Sequence, residues 1–258
     1  MLIQHCRPTL LKALTLYVAL AYASIASGAP HELRIYSDDI PNKDEIELEL
    51  LMSVAKPKAT EGALQGHVIQ TLMEFGYGLG QGWTVGLQLP MSHAQGSYEL
   101  NGLKAEVQYV VEHDVQRGFY WGVRSDLGYT SSPYETKGNN SLEINPILGL
   151  RNGDWHFVLN PSVEIPLSGA TKQTQFHPSA KVAKSFSSNQ QLGFEYFSRW
   201  GALSSALPQR QRDDMLYLVW DTKRASGRWN FGVGKPLAPA AGNVDHWVVK
   251  LGAAFDLD

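Results

Sequence analysis

Apolar residues alternate with polar or small ones in about a dozen segments, joined by connections that are short and long in turn. That pattern most limits the folds open to this chain. The hairpin at 73–91, "MEFGYGLGQGWTVGLQLPM", shows it clearly. Met73, Phe75 and Tyr77 alternate up to the glycine-rich stretch 79–82, and Trp83, Val85, Leu87, Leu89 and Met91 alternate beyond it. Such spacing predicts two strands with one wholly apolar face. In a soluble protein that face must lie against a second sheet; in a membrane protein it lies against lipid.

The remaining segments repeat the theme. Strands are expected over 44–54, 67–77, 83–91, 103–113, 119–129, 141–150, 155–167, 176–186, 191–200, 213–222, 229–237 and 245–257. Short turns fall at 79–82, 114–118, 151–154, 187–190 and 223–228, with Asn152-Gly153 as the preferred two-residue hairpin turn. Longer loops fall between them, the first carrying Lys56, Pro57 and Gly62. A sandwich has no reason to alternate its connections strictly, whereas outer-membrane barrels have short periplasmic turns and longer outer loops. Segments of ~9–11 residues also match the length of a tilted spanning strand. The expected fold class is therefore all-β: a twelve-stranded antiparallel transmembrane β-barrel of the outer-membrane type.

The start of the chain fits export. Arg7 and Lys12 precede an apolar run from Ala13 to Ile25 and then small residues, which is the layout of a secretory signal peptide cleaved after Ala26 or Gly28. The run is short for a spanning helix, which needs ~20 apolar residues. The expected organisation is a signal peptide at 1–28, a periplasmic leader at 29–43 and the barrel at 44–258. Cys6, the one cysteine, lies in the segment to be removed, so no disulfide is expected in the mature chain. Removing Arg7 and Lys12 from the 22 basic residues leaves 20 against 25 acidic ones, and no basic patch points to nucleic acid. The leader is open to three readings, an inward plug, a partner-binding tail or a disordered lead-in, and its Arg34, Asp38 and Asp39 allow a lumen-lining role. It is read as a simple tether, because termini are loose unless tied down.

Position within the strands assigns the faces. Trp83, Trp121, Trp155 and Trp229 each fall at or just after a short turn, as expected of an aromatic girdle at headgroup level. Trp200, Trp247 and Tyr129 fall nearer the other rim. Glu47, Glu49, Glu74, Glu106, Asp126 and Glu143 take the opposite face, as do Glu164, Glu195, Arg124, Lys181, Arg199 and Lys250. Glu112, Asp221, Asp256 and Lys104 share it. In a barrel that face is the lumen, where ionisable groups must be paired or wet. Strand register sets Arg124 beside Glu106 and Lys181 near Glu195. The lumen is then either a plug cross-braced by ion pairs or a narrow, cation-leaning water path.

The hairpin bears a resemblance. Glu74, Tyr77, Gly78 and Leu79, followed by Trp83, Val85, Gly86, Leu87 and Leu89, resemble the turn-and-wall hairpin of a bacterial outer-membrane β-barrel family, the MetA-pathway phenol-degradation and transporter-like proteins. The resemblance is firm over this hairpin and diffuse elsewhere. It implies an outer-membrane barrel that passes small hydrophobic or aromatic compounds, and it transfers no binding residues. The ending "GAAFDLD" departs from the terminal aromatic usual in such barrels: either the last strand stops at Phe255 or Leu257 takes that place.

Other motifs read as ordinary structure. "GYGLGQG" lacks the third glycine spacing and the following helix of a dinucleotide cradle. A wall-mounted serine hydrolase needs a serine and a histidine in reach of each other; His113 sits at a turn and Ser125 lies well up the next strand. No Gly-x-Ser-x-Gly elbow occurs. His67, His93, His177 and His246 fall near the outer rim without metal-ligand spacing. The function expected is a passive channel for small solutes, with no cofactor, no metal and no enzymatic activity. Its expected partners are outer-membrane lipid, lipopolysaccharide and the barrel-assembly machinery. A closed structural or adhesion barrel, a lipid hydrolase and a secreted β-sandwich are the alternatives. The expressed protein should need detergent for extraction and should change gel mobility on heating; a sandwich would do neither.

Overall fold

Alternating aromatic and β-branched residues fit a pleated surface with one apolar face, and each long segment of that kind becomes a strand. The computed structural model describes residues 33–55, 66–111, 117–131, 139–169, 173–209, 212–237 and 247–257. The signal peptide, Glu112, His113 and His246 lie outside the described residues, as does most of the loop with Lys56, Pro57 and Gly62. The strands are β1 (Ile46–Ala55), β2 (Val68–Gly80), β3 (Trp83–Ala94), β4 (Ser97–Leu100), β5 (Gly102–Val110), β6 (Gly118–Thr130), β7 (Asn139–Asn152) and β8 (Trp155–Gly169). They continue with β9 (Gln175–Ser187), β10 (Gln190–Phe197), β11 (Gly201–Ala202), β12 (Ser205–Ala206), β13 (Met215–Arg224), β14 (Gly227–Pro236) and β15 (Val248–Leu257).

Twelve of these strands form a closed antiparallel ring. Neighbours in sequence are neighbours in the wall, and β15 returns to β1, with Ile46 opposite Leu257 and Val54 opposite Val249. The short β4 folds back on β3, and β11 and β12 make a small hairpin at the start of β9. These three do not follow the alternation and were not foreseen. The last strand runs on past Phe255 to Leu257. One expected turn moves by a residue: Asn152 pairs with Trp155, so the loop residues are Gly153 and Asp154 rather than Asn152 and Gly153. That register holds Arg151 opposite His156 on the inner face, and a slip of one would turn every side chain over.

Burial along β6 is the reverse of a soluble sheet. Phe119, Trp121 and Leu127 are 61%, 47% and 52% exposed, while Arg124 and Asp126 are each 1% exposed. The pattern repeats around the ring: the outward face is apolar and exposed, and the inward face holds the buried charges. The apolar face of the 73–91 hairpin therefore has no second sheet over it among the described residues.

The interior is not left to the wall alone. Residues 33–41 lie inside the ring, a correction to the tether expected of the leader. A tight turn at 42–45 sits at the short-turn end, with the Glu45 amide donating to the Asn42 carbonyl at 3.2 Å and the Asn42 side chain to Glu45 at 2.8 Å. Asp44 takes a positive φ of 67°, which aspartate tolerates in turns. Its amide donates to the Gly78 carbonyl at 2.8 Å. Only glycine fits at 78, because a Cβ there would come within 1.8 Å of the Asn42 carbonyl oxygen. The chain thus reverses and runs from Pro41 to Leu33 up the bore. Leu33 packs with Met215, Tyr217, Val219 and Val248, and Tyr36 with Val110, Tyr120 and Ile147.

A charge at the outward position Val123, near the middle of β6, distinguishes lipid from water outside the wall. Val123→Arg should cost about 2–4 kcal/mol of unfolding free energy in lipid vesicles, read from denaturant titration; in a water-facing sheet it would cost almost nothing.

Candidate functional site

The candidate site is the bore, and its centre is Arg124. A single arginine on β6 reaches three strands because the inward side chains of β2, β5 and β6 converge there. Its Nε donates to Asp126 at 2.9 Å, and its terminal nitrogens donate to Glu74 at 3.2 and 3.0 Å and to Glu106. The Gln88 amide lies 3.0–3.3 Å from Glu74, Glu106 and Asp126, and Asn145 donates to Asp126 at 2.9 Å. Arg34 of the leader enters from the other side, at 2.5 Å from Glu74 and 2.7 Å from Glu49. The Tyr36 ring lies under both guanidiniums, 4.5 Å from that of Arg124 and 5.3 Å from that of Arg34. Four carboxylates thus share two guanidiniums, one of them supplied by the leader.

A second cluster sits across the bore. Lys181 lies 3.0 Å from Glu195 and 2.8 Å from Asp221, and Lys250 also pairs with Glu195. Lys250 donates as well to the backbone carbonyl of Leu33 at 3.1 Å, which ties the leader to β15. The register-based pairs Arg124–Glu106 and Lys181–Glu195 are both present.

Nearer the short turns, two leader aspartates meet two wall arginines. Arg151 holds Asp38 at 2.7 and 3.1 Å, and Arg228 holds Asp39 at 2.7 Å while also pairing with Glu47. The Tyr120 hydroxyl and His156 Nε2 are 2.8 Å apart beside Asp38. Asn160 makes two backbone hydrogen bonds to Tyr36, each 3.0 Å long, so the leader is gripped in mid-bore. Every charged leader residue from 34 to 39 therefore faces a wall charge of opposite sign.

Toward the long loops, Lys104 pairs with Glu143 at 3.2 Å, and Glu164, His177 and Arg199 line the same cavity. That cavity measures about 530 Å³, and a second, of about 940 Å³, opens toward the short turns. The two share only Leu33, Arg34, Tyr36, Leu51 and Lys250 among their lining residues, so the leader stands between them. Of the four tryptophans at the short-turn end, three face outward and Trp229 is half-buried beside the second cavity. Trp83, Trp121 and Trp155 are exposed, and Tyr109 bridges the first two at 4.8 and 6.0 Å. Trp229 lies 5.4 Å from Phe255. Among the described residues, no group of three or more His, Cys, Asp or Glu could hold a metal ion.

Sequence reasoning missed the leader's partners Arg151, Arg228, Asn160 and Gln88. The signal was present in the complementary signs of Arg34, Asp38 and Asp39, but strand periodicity says nothing about a segment that is not a strand.

The chain is similar to several solved structures. The COG4313 outer membrane channel from Pseudomonas putida F1 is 11% identical with a TM-score of 0.58, the match covering 84% of this chain and 97% of that one. The fold is that of an outer-membrane barrel. The KdgM porin is 13% identical with a TM-score of 0.49, over 81% of this chain and 98% of that one. A TodX monoaromatic hydrocarbon channel mutant is 10% identical with a TM-score of 0.45, over 85% and 91%. No family model matches the chain, and no curated protein matches it in sequence.

The arginine cluster yields a stability test. Arg124→Ala leaves three buried carboxylates short of their shared cation and should cost about 3–5 kcal/mol. Adding Glu106→Gln should recover part of that loss, with both values read from denaturant midpoints of the refolded barrel.

Proposed function

We propose that this protein is a passive channel of the bacterial outer membrane, exported by its 1–28 signal peptide and narrowed by its own leader. The observation that carries the reading is the pair of cavities inside a closed ring, one toward each end of the bore, meeting at Leu33, Arg34 and Tyr36. A wall built only for strength would gain more from apolar packing than from buried ion pairs, which are often no better than neutral for stability.

In this reading Glu47, Glu49, Glu74, Glu106, Arg124 and Asp126 act as the selectivity lining with Glu143, Glu164, Lys181, Glu195, Arg199 and Lys250. Small solutes that tolerate close charges pass, and the protein performs no catalysis. Hydrophobic and aromatic solutes, which the family resemblance suggests, are the comparison set. Trp83, Trp121, Trp155 and Trp229 anchor the short-turn rim at the headgroups. Lipopolysaccharide and the assembly machinery are its partners in the envelope.

One observation favours a second reading, a closed structural barrel: three leader residues are held by ion pairs, at the centre of the bore and nearer the short turns. Planar-bilayer recordings separate the two. The full chain should give small, resolved current steps, and a variant lacking residues 29–41 should give severalfold larger ones. If both fold and neither conducts, the protein is a structural barrel and the channel reading is wrong.

A further inference from the structure

The cavity at the long-loop end holds two ionisable side chains that stand apart from the rest. Arg34, Lys104, Glu143, Asp214 and Lys250 there all have partners in hydrogen bonds or ion pairs. Arg199 and Asp213 have partners as well. Glu164 and His177 have none among the described residues. His177 Nε2 is buried from solvent and accepts no hydrogen bond. A buried polar atom without a hydrogen bond is costly, so its place beside a cavity calls for something that fills it.

The two lie side by side. Ser162 of β8 is opposite His177 of β9, and Glu164 is opposite Gln175. All four line the cavity, and alternation along a strand sets them on one face. Residues directly opposite have Cβ atoms ~5 Å apart and diagonal ones about 7–8 Å, close enough to share one small group. Gln175 uses its amide N–H on the Gln173 carbonyl at 2.8 Å, which leaves its side-chain oxygen for the cavity. The quartet offers a carboxylate, an amide oxygen, a ring nitrogen and a hydroxyl oxygen, all able to accept.

Acceptors without donors suit a group with donors only. A primary ammonium is such a group, with three N–H donors and no acceptor. Lys104 and Arg199 also face His177, but four carboxylates line the cavity against its four cationic side chains. An ammonium at Glu164 therefore meets no excess of positive charge. A transition metal fits less well, since Glu164 and His177 supply two strong ligands where protein sites supply three or four.

We propose that Ser162, Glu164, Gln175 and His177 form a subsite for the primary ammonium group of a small solute entering from the long-loop end. The proposal deepens the channel reading by naming a solute class, and rests on it only for the direction of traffic. Binding is measured apart from conductance, so either can fail alone.

The test is calorimetric titration of the refolded full chain in detergent with propylammonium chloride, propanol, sodium propionate or zinc chloride. Propylammonium should give saturable binding, and propanol and propionate none. Glu164→Gln keeps the shape and removes the charge, and should weaken propylammonium binding about ten- to a hundredfold. His177→Phe should weaken it as well, while Asp154→Asn, in the exposed turn at the far end, should leave it unchanged. Heat-dependent gel mobility confirms folding of each variant, and Glu164→Gln alone decides if His177→Phe does not fold. Propylammonium heats no larger than those of propanol, or equal affinity in Glu164→Gln, would overturn the proposal. So would zinc binding lost in both variants while propylammonium stays silent.

Discussion

Hydrocarbon on the outside leaves the ionisable side chains of this chain nowhere to go but inward. A backbone in lipid must satisfy its polar groups internally, which forces the ring to close, and β15 does so against β1. Alternation then sends every second residue into the bore, where Arg124, Asp126, Glu106 and Glu195 are almost wholly buried. Charges so placed are tolerable only when paired and hydrogen-bonded. The lipid-facing wall thus fixes where the ion-pair clusters lie and why each is paired.

The wall cannot satisfy its own charges alone. Around Arg124 it offers Glu49, Glu74, Glu106 and Asp126 against one guanidinium, and Arg34 of the leader adds the second. In the other direction, Arg151 and Arg228 take Asp38 and Asp39 from the same segment. Leu33 and Tyr36 complete two apolar clusters against wall tyrosines on either side of the polar centre. The leader is therefore an element of the fold without being a strand, held inside the twelve-stranded ring by apolar burial and opposite charge together.

The wall was legible in the sequence because its signal has period two and repeats around the ring. All twelve long segments became strands, with boundaries moved by a few residues. The Arg124–Glu106 and Lys181–Glu195 pairs followed from register alone. The leader was not legible, since its fold depends on side chains far along the chain, such as Asn160 and Arg151. The 73–91 hairpin, read as a turn and a wall, proves to be where the leader docks. Glu74 binds Arg34, the Tyr77 hydroxyl donates to Asp44 at 3.0 Å, and Gly78 admits the Asn42 carbonyl. The role of Gly78 is close approach.

Because the leader is keyed by charge, its withdrawal is not a simple swing of a flap. Removing Arg34 strips Glu49 of its ion-pair partner and leaves Glu74 with Arg124 alone. Removing Asp38 and Asp39 at the same time uncovers Arg151 and Arg228 at the other end. Water entering the bore can solvate both ends, and a higher dielectric lowers the cost of each exposed charge. Opening and wetting are therefore one event. The centre it uncovers is net negative and the short-turn rim gains positive charge, so a cation crossing the bore would find a favourable middle and a less favourable exit. That uneven profile comes from the wall charges the leader covers, Glu49 and Glu74 in the middle and Arg151 and Arg228 toward the rim.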